Sequence, residues 1–146
     1  MFRGMLAVLV GLFVTATVMT ICLTGAFFAL GTDKVFRPGS FEVSGLMTMV
    51  MFAGLAVAVV AGGAICSKVA KGEATPCRVL AGLLLCLMLA GAAASYMAGP
   101  APKRNGGAQG LDAMSRAHTP PIAALVNALV CGSGALAGGF VARHRK

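Results

Sequence analysis

Long apolar runs alternate with short polar breaks along the chain, and the runs predict its elements. Four stretches, Met5 to Leu30, Val43 to Cys66, Val79 to Ala98 and Ile122 to Ala142, contain no Asp, Glu, Lys, Arg or His. A membrane-crossing helix needs about 20 mainly apolar residues, because ~30 Å of hydrocarbon is crossed at ~1.5 Å per residue. Each run meets that length. The pattern predicts an all-α polytopic membrane protein with transmembrane helices over 5–30, 43–66, 79–98 and 122–142. The breaks leave almost no extramembrane mass, so residues 1–146 read as a single transmembrane domain.

Composition agrees with the pattern. The chain is 58% hydrophobic and 11% charged, with 20 glycines in 146 residues, too little polar material to cover a water-soluble globule. The first run follows Arg3 and could open a signal peptide. Its length exceeds the ~7 to 15 residues of a signal core and no small-x-small cleavage site is well placed, so a retained helix is expected. The residues before Cys22, "VMTI", also lack the small residue that precedes a lipoprotein cysteine.

The basic residues set the expected orientation. Arg3, Lys68, Lys71, Arg78, Arg143, Arg145 and Lys146 fall on one side of the membrane, and Lys34, Arg37, Lys103, Arg104 and Arg116 on the other. The larger set crowds the helix ends and a short central loop, which places both termini in the cytoplasm. A net charge of +8 would suggest nucleic acid in a soluble domain. Here it is spread over both faces with no aromatic platform beside it, and the partner it suits is the lipid bilayer.

Two stretches repeat. "AGGAICSKVAK", Ala61 to Lys71, returns as "AGGFVARHRK", Ala137 to Lys146, and the preceding inward-starting helices carry "VLVGL" at Val8 and "VLAGL" at Val79. The spacing predicts two parallel copies of a helical hairpin, 1–72 and 73–146. These glycine-glycine, apolar, basic endings are similar to those of small uncharacterised bacterial multi-span membrane proteins. That resemblance implies four helices in a bacterial cytoplasmic membrane and carries no activity with it.

Glycine spacing predicts how the helices meet. Lipid tails are as apolar as leucine, so helices associate in a bilayer through close approach of small residues rather than through hydrophobicity. Gly54, Ala58 and Gly62 form such a seam on the second helix, with Gly63 beside it; Gly82, Cys86, Ala90 and Ala94 form one on the third. On the fourth, Ala124, Asn127, Cys131, Gly134 and Gly138 share a face, flanked by Gly139, and the first offers Gly4, Ala7, Gly11 and Thr15. Asn127 is the most polar side chain within a span. Thr17, Thr20 and Thr24 could meet it across an interface, as a polar lining or as a register-fixing hydrogen bond.

The candidate chemistry is sparse. No ionisable group lies in any span, and proton-coupled carriers place a carboxylate or histidine there. Small four-helix multidrug exporters match in span count, but they depend on a first-helix glutamate that this chain lacks. Asp33, Glu42, Glu73 and Asp112 are the only carboxylates and are scattered over three loops, so no catalytic constellation is expected. Met47, Met49 and Met51 alternate and would not converge on one helical face; Cys22, Cys66, Cys77, Cys86 and Cys131 lack zinc spacing; neither metal nor cofactor is expected. The outer connections read as loops: a short turn at 31–42 and a proline- and glycine-rich segment at 99–121 whose Leu111 to His118 could form a surface helical turn.

Two readings follow. One is a non-catalytic membrane protein that works by helix association, as a homo-oligomer or as a small subunit of a larger complex. The other is a minimal channel or facilitator for a small solute or ion, lined by Asn127 and the threonines.

Overall fold

The computed structural model describes residues 2–97, 99, 117 and 119–144. It contains α1 (Phe2–Leu30), a single turn α2 (Thr32–Val35), α3 (Gly45–Val69), α4 (Ala74–Met97) and α5 (Pro121–His144). α1, α3, α4 and α5 are long and apolar enough to cross a membrane, as the apolar runs predict. The helices overrun those runs mainly at the basic end, where α4 begins at Ala74 rather than at Val79. Pro76 sits in its first turn, where a missing N–H costs no helical hydrogen bond. The proposed surface turn at Leu111 to His118 lies outside the described residues.

Local chemistry fixes the reversals between helices. Ser44 caps α3: its hydroxyl oxygen accepts from the Met47 N–H at 3.3 Å and its O–H donates to the Lys34 carbonyl at 2.6 Å. At the other end, Lys71 and Gly72 adopt φ of 53° and 87°, a left-handed turn that sends the chain back into α4.

The spanning helices form a ring in which α1 packs on α3, α3 on α5, α5 on α4, and α4 more lightly on α1. α3 also touches α4 across the ring. The buried interior, from Ala7 and Leu55 through Val59, Cys66, Cys77, Leu80 and Leu84 to Cys131 and Ala135, lies toward the basic end. The outer surface is apolar as well, with Phe13, Ile21, Phe28, Leu87 and Leu129 exposed, as lipid contact requires.

The segment expected as a simple turn at 31–42 is instead a packed cap. Val35, Phe36, Phe41, Val43, Met47 and Phe27 form a second buried cluster where α1 leads into α3, at the end of the bundle opposite the basic helix ends. Phe36 stands edge-on to both Phe27 and Phe41, at ring separations of 6.3 and 5.9 Å. An isolated bridge between Phe36 and Val43 and an ion pair of 3.0 Å between Arg37 and Glu42 close the loop. Met47 lies in this cluster and Met51 packs against it, while Met49 faces away from the bundle.

Candidate functional site

The two glycine pairs lie where the helices cross most closely. Consecutive residues on a helix point about 100° apart. Two neighbours in a four-membered ring lie at roughly a right angle, so two successive glycines serve two different neighbours. Gly63 faces α5: a methyl group there would fall on the carbonyl oxygen of Ala135 and within 3.1 Å of its Cα. Gly62 faces α1, where the same methyl would strike the Thr15 hydroxyl and lie 2.8 Å from the Gly11 carbonyl oxygen.

The second pair divides its work in the opposite order. Gly138 faces α3, against the Val60 carbonyl, and Gly139 faces α4, where a Cβ would stand 3.0 Å from Cys77 Sγ. A strict parallel copy would assign the first glycine of each pair the same neighbour; Gly62 and Gly138 have different ones. The order is reversed because α1 and α4 pack against each other and so lie on the same side of the α3–α5 pair. Around the pairs, the Cys77 thiol donates to the Gly63 carbonyl at 3.8 Å, and Gly11 meets Leu80, Cys66 and Gly62.

The remaining expected packing residues divide. Gly54 lies against Cys22 of α1, Ala58 is fully buried, and Gly134 is pressed on Val59. Gly82 differs from the expectation: a Cβ added there meets nothing within 4 Å, and Gly82, Cys86, Ala90 and Ala94 are all exposed. Small-residue spacing alone carries no direction, and the buried face of α4 is made by Cys77, Leu80, Ala81, Leu84 and Ala92 instead. Beside the outward stripe, a groove of about 600 Å³ runs between α4 and α5, with Gly82, Leu85, Gly132 and Ser133 among its walls.

The expected polar lining is not assembled. Thr17 and Thr20 are exposed and donate to the carbonyls of Phe13 and Ala16 one turn back, at 2.8 and 2.9 Å. Thr24 is half-buried on the same helix. Asn127 is buried on α5, a helix that does not pack on α1, and its Oδ1 has no hydrogen-bond partner. The threonine whose placement does matter is Thr15, buried at the Gly62 crossing with its hydroxyl donating to Gly11 at 2.9 Å. Its signal in the sequence is the four-residue interval from Gly11.

Among the described residues, no group of three or more His, Cys, Asp or Glu side chains could hold a metal ion. Three of the cysteines, Cys66, Cys77 and Cys131, are buried as small apolar packing residues, and Cys86 is exposed. No protein-family model matches the chain, and no curated protein or solved structure matches it.

Proposed function

We propose that this is a non-catalytic integral membrane protein that acts by lateral association, with the outward stripe of α4 as its contact surface. The observation that carries the reading is the exposure of Gly82, Cys86, Ala90 and Ala94 at four-residue spacing. Gly62, Gly63, Gly138 and Gly139 are consumed inside the bundle, whereas this stripe is left free to admit another helix at close range. A second copy or a helix of a larger complex would bury it. The basic helix ends favour cytoplasmic termini, and their likeness to small bacterial membrane proteins favours a bacterial cytoplasmic membrane.

The test is native mass in mild detergent, with oxidative cross-linking of a Cys22→Ala variant that leaves Cys86 as the exposed thiol. A discrete oligomer or a stoichiometric foreign chain, with cross-links through Cys86 and loss of both in Gly82→Leu, is the expected result. A monomer that yields no Cys86 adduct in the membrane refutes the reading.

A further inference from the structure

The ring is least closed between the first turns of α1 and α4. A groove of about 910 Å³ lies there, with Val8 and Leu9 on one wall, Pro76 and Val79 on the other, and Arg3 and Glu73 at its mouth. There is room at Gly4, where a Cβ would meet only Pro76, at an ordinary 3.6 Å, and a longer side chain would project into the groove.

We propose that this groove binds one anionic phospholipid, its phosphate at Arg3 and an acyl chain against Val8, Leu9 and Val79. Position and charge both select that occupant. Arg3 and Leu9 are about 9 Å apart along the helix axis, so the groove passes from headgroup level into hydrocarbon. Leu9 and Val79 are 59% and 51% exposed, and a cleft with such walls, open to a bilayer, fills with acyl chain. At the mouth, Arg3 is exposed and Lys71 and Arg78 stand at the same end of the bundle. Glu73 stands directly before Ala74 at the start of α4, so the positive field at the mouth comes from the three basic side chains. Glu73 already has an interaction of its own. An amphiphile with a phosphate diester head answers both halves of the groove, and a charge-assisted bond to a guanidinium is the strongest contact available to it.

The inference is independent of association through Gly82, and Arg3→Gln is expected to leave the native mass unchanged. The measurement is native mass spectrometry of protein purified from vesicles of phosphatidylglycerol and phosphatidylcholine in equal parts. The expected result is one retained phosphatidylglycerol per chain in preference to phosphatidylcholine. Arg3→Gln should lower that retention about fivefold, the weight of one basic residue at an anionic surface. Gly4→Leu should abolish it by filling the groove, and Lys34→Gln, at the other end of the bundle, should leave it intact. Circular dichroism and gel filtration establish that each variant is folded; should Gly4→Leu fail there, the exposed Arg3 position decides alone. Equal retention of the two lipids, undiminished retention in Arg3→Gln, equal loss in Lys34→Gln, or displacement by inorganic phosphate would each overturn the proposal.

Discussion

Gly63 of α3 and Gly138 of α5 hold the central helix pair by a reciprocal contact, each set against the backbone carbonyl of the other helix, at Ala135 and at Val60. A hypothetical Cβ would stand 3.1 Å from the Ala135 Cα in one case and 3.0 Å from the Val60 Cα in the other. The obstacle is main chain on both sides. No rotamer change can relieve it, and the helices would have to separate.

Gly138→Ala should therefore destabilise the bundle by about 1–3 kcal/mol or more, the usual range for an overpacked interior. Gly82→Ala is the matched control. With open space around it, the added methyl should cost nothing and can gain about 0.5–1 kcal/mol from helix propensity. Reversible denaturation in detergent measures both, and equal effects would show that the α3–α5 crossing is looser than described.

The contrast between these two glycines also marks how far the sequence could be read. The four spans were legible because charge is excluded from hydrocarbon, a signal that persists over a whole helix. Which side of α4 turns inward was not, because lipid and protein interior are equally apolar and burial leaves little periodicity. Gly82 and Gly138 look alike in sequence, yet only Gly138 meets another backbone. The reversed order of the glycine pairs depends on the placement of α1 beside α4, a long-range fact that no local motif encodes. The aromatic cap is hidden for a different reason: Pro38 and Gly39 announce a turn, and nothing in the spacing of Phe36 and Phe41 on either side of it marks them as a core.

At the α1 crossing, Gly62 and Thr15 should be energetically coupled. The Thr15 hydroxyl is held in place by its bond to the Gly11 carbonyl, so it cannot yield to a methyl group at Gly62. Gly62→Ala should cost about 1–3 kcal/mol. Thr15→Ala should return part of that in the double variant, with a coupling of at least about 0.5 kcal/mol. Complete rescue is not expected, because the Gly11 carbonyl oxygen remains 2.8 Å from the new carbon. Additive effects would mean that the two side chains do not share the crossing.

Within the cap, burial should outweigh charge. Phe36 is 2% exposed and stacked edge-on against two rings, and Phe36→Ala should cost about 3–5 kcal/mol. The Arg37–Glu42 pair is short, but the arginine side chain is 59% exposed, and Arg37→Ala should cost no more than about 1 kcal/mol. Hydrogen exchange at the Ser44 amide, which donates to the Val35 carbonyl, reports on the cap directly. Faster exchange in the arginine variant than in the phenylalanine variant would reverse this ranking.

Asn127 separates a structural amide from a functional one. It lies about two turns from the Gly63–Ala135 crossing, away from the basic helix ends, 8% exposed, and its Oδ1 lacks a donor. A buried acceptor left unbonded costs about 1–3 kcal/mol, so removing it should relieve the bundle even though a small void is left. Asn127→Ala is expected to be neutral or stabilising by up to about 1 kcal/mol, once the lost packing is offset against the recovered desolvation. Asn127→Asp should be destabilising by up to about 3 kcal/mol, because a charge in a spanning helix has nowhere to be solvated. Thermal denaturation of both variants in the same detergent decides the matter. A marked loss of stability in the alanine variant would mean that Oδ1 does receive a hydrogen bond in the membrane, from a bound solute or from another chain. That outcome would return Asn127 to the centre of the functional question.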